Sequence, residues 1–138
     1  MAYNYGSFAS VKWSNVLLFL LLLLTGTYGV AAAADYDLNL HTYPNPFVAG
    51  QRFGGQYAMV AFNVPSGGTA SLHVYDFDGN LIRTLLEGER YSPGDYEVEW
   101  EGRDDDNELV APGPYVIVLE LDIQGQSYRD TFVAVAHR

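Results

Sequence analysis

The chain has no cysteine among its 138 residues. That excludes a disulfide framework, a thiolate metal site and a lipidated N-terminal cysteine. Basic charge is scarce as well: Lys12 is the only lysine, and seven Lys and Arg stand against 17 acids, a net charge of −10. A surface of that sign repels phosphate backbones and anionic lipid, so no nucleic-acid partner is expected. Helical hydrophobic periodicity is missing after residue 35. So are a G-x-S-x-G elbow and a Walker loop. His41, His73 and His137 show no His-x-His or His-x-x-x-His spacing, which argues against zinc. PSGG at 65–68 and FGGQ at 53–56 are glycine-rich, but neither opens a helix that would cradle a phosphate.

One long apolar run is present. Residues 16–24 read VLLFLLLLL, preceded by Lys12 and followed by TGTYGVAAAA, with Ala32 and Ala34 in the A-x-A arrangement. This predicts a secretory signal peptide over 1–34, cut before Asp35. Left uncut, 16–34 would be just long enough for a membrane anchor, though Thr25, Gly26, Thr27 and Gly29 weaken it. In both cases Asp35 onward is exported: secreted, on the cell surface or in the periplasm. Cutting removes Lys12 and no acid, leaving six arginines against 17 acids and a net charge of −11. The processed chain is expected to have no membrane contact.

From Asp35 on, Gly and Pro punctuate short alternating segments. The pattern predicts one domain, 35–138, with strands at 38–43, 57–64, 69–75, 81–87, 95–100, 115–122 and 127–135. DYEVEW at 95–100 is the clearest, placing Tyr96, Val98 and Trp100 on one face and Glu97, Glu99 and Glu101 on the other. Ala58, Val60, Phe62 and Val64 share a face in the same way, as do Tyr115, Ile117, Leu119 and Leu121. Asp78-Gly79 and Gln124-Gly125 fit tight hairpin turns, because these residues tolerate positive φ. Seven short strands in about 100 residues predict an all-β, immunoglobulin-like sandwich of about seven antiparallel strands. Its core is expected around Trp100, Tyr96, Val98, Tyr115, Ile117 and Phe62.

Candidate chemistry concentrates in WEGRDDDNELVAPGPY, 100–115. Asp and Asn there suit a solvated turn, capping local N–H groups. Alternatively Asp104, Asp106 and Glu108 alternate and offer hard oxygen ligands to calcium, although the EF-hand glycine and distal glutamate are missing. No nucleophile–base pair accompanies the acids, so no catalytic residue and no enzyme is expected. Calcium aside, no cofactor is expected. Tyr57, Tyr75, Tyr91 and Tyr128 are candidates for a glycan-stacking strip.

YPNPF at 43–47, FNVPSGGTASLHVYDFDGNLIRTL at 62–85, YSPGDYEVEWEGRDDDN at 91–107 and APGPYVIVLE at 111–120 follow one another in order. Together they resemble the Ig-like domain of the flagellar hook-capping protein FlgD, whose relatives include type IX secretion sorting domains. The resemblance implies a contact module without chemistry, in which Trp100-x-Gly102-Arg103-Asp104 leaves a strand for a tight connection. The chain departs from the family pattern at Glu108, where a glycine is usual. It also departs at Pro112-Gly113-Pro114-Tyr115, where Ser-Gly-x-Tyr is usual. Arg129 stands in a last strand that carries Lys in sorting versions. The expectation is a stand-alone exported structural or assembly protein with protein partners, including its own copies, at exposed sheet edges.

Overall fold

Alternation of aliphatic or aromatic residues with polar ones gives eight strands: β1 (His41–Tyr43), β2 (Phe47–Val48), β3 (Ala58–Val64), β4 (Gly68–Tyr75), β5 (Leu81–Tyr91), β6 (Gly94–Trp100), β7 (Gly113–Ile123) and β8 (Gln126–His137). The computed structural model describes residues 36–50 and 57–138. The leader read at 1–34 and the FGGQ segment lie outside the described residues. Three strands form one sheet in the order β1-β3-β6, and five form the other in the order β2-β8-β7-β4-β5. Every ladder is antiparallel except β2 with β8, which run parallel. The fold is an all-β, immunoglobulin-like sandwich.

The strands differ from the sequence reading where pairing, not pattern, decides. β2 is only two residues long and exists because Phe47 and Val48 pair with Ala136 and His137. Residues 38–40 are not strand: Asn39 has φ 49°, while the Leu38 carbonyl accepts from Asn63 N–H and Leu40 N–H reaches the Asp130 carboxylate. β5 continues beyond 87 to Tyr91, helped by register shifts against β4 and by Gly88 at φ 61°. Both hairpin turns fall at the expected residues, although Asp78 does not take positive φ and the first turn closes from Asp76 to Asn80. Gly79 has φ 86°, and Gln124 and Gly125 have φ 55° and 81°. Asp76 locks the first hairpin by accepting from Asp78 N–H, Asn80 N–H and the Asn80 side chain.

Between the sheets, Trp100 is 1% exposed, against Phe47 at a ring distance of 5.0 Å and Tyr115 at 5.4 Å. Phe62, Tyr115 and Ile117 are buried beside it. Tyr96 and Val98 are half-buried and pack at the rim, since β6 is the outermost strand of its sheet. The Tyr96 ring joins Phe62 and Tyr91, and its hydroxyl donates to the Ser92 carbonyl at 2.9 Å. Tyr115, near the start of β7, donates its hydroxyl to the Ala111 carbonyl at 2.7 Å, four residues upstream. That is the tyrosine corner of immunoglobulin-like sandwiches.

Gly102 closes the core beneath Trp100. At φ 72° it lies in the left-handed region, and a Cβ there would sit 2.7 Å from Ala49 Cβ and 3.0 Å from Phe47 Cε2. Gly79 shares the conformation but has open space around it. Gly102→Ala is therefore expected to cost about 2–4 kcal/mol and Gly79→Ala about 1–2 kcal/mol in urea denaturation, the difference being overlap rather than backbone strain. Thr42 makes the opposite case: it is 6% exposed, and its hydroxyl has no hydrogen-bond partner among the described residues. Thr42→Val keeps the shape and removes an unpaired polar atom, so it should stabilise by about 1 kcal/mol in the same assay.

Candidate functional site

The acidic segment after β6 is a closed turn. The Trp100 indole N–H donates to the Arg103 carbonyl at 3.0 Å, which draws the chain back over the core. Arg103 then bridges to Leu109, Val110 N–H reaches the Gly102 carbonyl, and Asp104 N–H reaches the Glu108 carbonyl. Asn107, at φ 66°, lets the turn close. Asp104 aims its carboxylate inward, accepting from Glu108 N–H at 2.8 Å. Residues 104–108 thus turn back on themselves, with Asp104 capping Glu108. Among the described residues, no three His, Cys, Asp or Glu side chains converge on a point that could hold a metal ion.

Asp105, which the sequence reading passed over, has the structural role. Its N–H donates to the Ile82 carbonyl at 3.0 Å, and its carboxylate accepts Thr84 N–H at 3.1 Å. Arg83 holds the turn in place, donating to the Asp104 carbonyl at 2.6 Å and lying 3.8 Å from the Asp105 carboxylate. One residue thus imitates a strand and covers the outer edge of β5. Thr84 lies 21 residues upstream and Ile82 further still, so local pattern gave no sign of the contact. At the opposite edge of the same sheet the Asn45 side chain does likewise for β8. Its amide donates to the Val133 carbonyl and its oxygen accepts Val135 N–H, both at 2.9 Å. Unpaired edges recruit other chains, and both ends of the five-stranded sheet are partly covered in this way.

What remains open on the five-stranded sheet is its face. Across the solvent side of the five-stranded sheet, Leu81, Tyr75, Val116 and Val133 lie in one register row over β5, β4, β7 and β8. Leu81 is 50% and Val133 43% exposed, and Phe77 is 66% exposed beside the row at the hairpin tip. The three-stranded sheet is different in kind. Its solvent side carries Asp95, Glu97 and Glu99 on β6, and β1, β3 and β6 contain no Arg or Lys. Tyr43 donates its hydroxyl to Glu97, and that bond raises the tyrosine's pKa. The charge of Glu99 does the same to Tyr57. The four candidate tyrosines form no common strip. Tyr91 packs edge-on against Phe62 and Tyr96, Tyr128 against Tyr36, and Tyr75 lies in the apolar row.

Two packed sheets, a tyrosine corner and a tryptophan-anchored turn define an immunoglobulin-like module. Residues 49–125, more than half of the chain, match the FlgD Ig-like domain family, and the chain belongs to that family. Among solved structures, FlgD from P. aeruginosa is similar at 22% identity and a TM-score of 0.48, covering 56% of this chain and 58% of that one. PorZ of Porphyromonas gingivalis, described as an essential bacterial surface component of the type-IX secretion system, is similar at 22% identity. Its TM-score is 0.47, with 72% of this chain and 11% of that chain covered. The chain thus spans less than two thirds of either protein. No curated protein matches it.

The turn's hydrogen bonds set an order among its acids. Asp105→Ala should cost about 1 kcal/mol in urea denaturation through the lost cap on Thr84. Asp106→Ala, at an exposed position, should stay within about 0.5 kcal/mol of the parent. Equal losses at the two positions would contradict the assigned roles.

Proposed function

We propose that this chain is an exported, non-catalytic module of the cell surface or envelope, a structural or assembly protein that works through contacts with other proteins. The observation that carries this reading is the uncharged apolar row of Leu81, Tyr75, Val116 and Val133 on the five-stranded sheet. Exposed apolar surface in a continuous patch marks an interaction site, whereas scattered apolar residues do not. The membership in the FlgD Ig-like family is in keeping with it. Export rests on the leader features of 1–34 and on an excess of acid that keeps a processed chain soluble.

The same row suits a second copy. Self-association then proceeds face to face, since Asp105 and Asn45 partly cover the two ends of the five-stranded sheet. Light scattering of the processed protein over a rising concentration series should show mass growth that Val133→Asp abolishes. A strict monomer throughout would overturn self-association. Mass spectrometry of the chain recovered outside producing cells should find Asp35 at its start, and retention of the whole chain inside would overturn export.

A further inference from the structure

The three-stranded sheet ends at β6, and antiparallel geometry fixes which backbone groups face outward there. β3 pairs with β1 on one side and β6 on the other. Asn63 N–H donates to the Leu38 carbonyl, away from β6, so the odd-numbered residues of β3 bond toward β1. The even-numbered ones bond toward β6, opposite Tyr96, Val98 and Trp100. Asp95, Glu97 and Glu99 are left with their backbone N–H and C=O directed at the free edge. No described backbone group covers that side, in contrast to the capped edges of β5 and β8.

The side chains of those same residues all stand on the solvent side, successive ones about 6.7 Å apart. A strand added to the edge would place a side chain beside each carboxylate at about 5 Å between Cβ atoms. Opposite charge there stabilises the pairing and like charge opposes it. The row therefore rejects a second copy of itself, acid against acid, and selects a strand of the other sign. β1, β3 and β6 carry no Arg or Lys; Asn63 and Tyr43 donate to Asp95 and Glu97 as neutral partners, and Arg83 and Arg103 line a hollow with Glu99 at one end of the row.

We infer that the outer edge of β6 is a docking site for an extended peptide segment carrying Lys or Arg at every second position, which joins the sheet as a fourth strand. Backbone hydrogen bonds supply affinity, and the alternating cations supply choice of partner. This surface is separate from the apolar row, and its occupancy does not depend on self-association.

The probe is a labelled synthetic peptide of alternating lysine and threonine, followed by fluorescence anisotropy with the full processed protein. Binding should weaken steeply with added salt. The Glu97→Gln/Glu99→Gln variant should bind about tenfold more weakly, while Asp106→Asn/Glu108→Gln, with the same change in net charge, should stay within about threefold of the parent. Amide hydrogen exchange should slow at Asp95, Glu97 and Glu99 when the peptide is bound, and N-methylation of the peptide backbone should abolish binding. Equal losses in both variants would show general charge attraction and overturn the site. Absence of binding, or amides at 95, 97 and 99 that exchange unchanged, would overturn it equally.

Discussion

The indole of Trp100 lies between Phe47 and Tyr115, and its single polar atom is satisfied by the Arg103 carbonyl. A buried N–H without a partner is costly, so the chain must fold back within three residues of the ring. Only a residue free to adopt positive φ and without a side chain fits at Gly102, where Ala49 and Phe47 crowd the backbone. The reversal sets the direction of everything up to Val110. It also carries Asp105 to the second sheet, where it caps β5. A hydrophobic anchor in one sheet thereby protects the edge of the other.

Much of this architecture was legible in the sequence, because period-two alternation and turn chemistry are local signals. DYEVEW reads directly as a strand, and the Asp78-Gly79 and Gln124-Gly125 turns fall where positive φ is tolerated. What escaped depends on partners distant along the chain. β2 is held by the end of β8, and the Asn45 amide by Val133 and Val135. The acids of 104–108 read as a solvated turn with local caps, with alternating calcium ligands as the alternative, because residue type alone does not choose between them. Backbone closure at Asn107 makes the turn, with Asp104 as a local cap, but the reach of Asp105 to a distant strand gave no local sign. The Tyr115 corner needed the geometry of the connection before β7, which residue type alone does not reveal.

Charge and apolarity are sorted between the two sheets. One outer face joins aliphatic and aromatic residues from four strands in a single row. The other gathers carboxylates on its last strand without a local counter-charge among its three strands. For a domain this acidic, an uncharged strip is where a close approach between copies meets least repulsion. A module with two chemically unlike surfaces can hold two different neighbours at once.

The parallel pairing of β2 with β8 has a mechanical consequence. Because the two strands run in the same direction, tension applied to the chain ahead of β2 and at the end of β8 drags them lengthwise past each other. The rungs at Phe47–Ala136 and Val48–His137, with the bond from Ala49 N–H to the His137 carbonyl, then share the load together. An antiparallel pair pulled from one end would instead unzip rung by rung. A domain pulled at both ends gains resistance from this arrangement, and the patch of strand that supplies it is only two residues long.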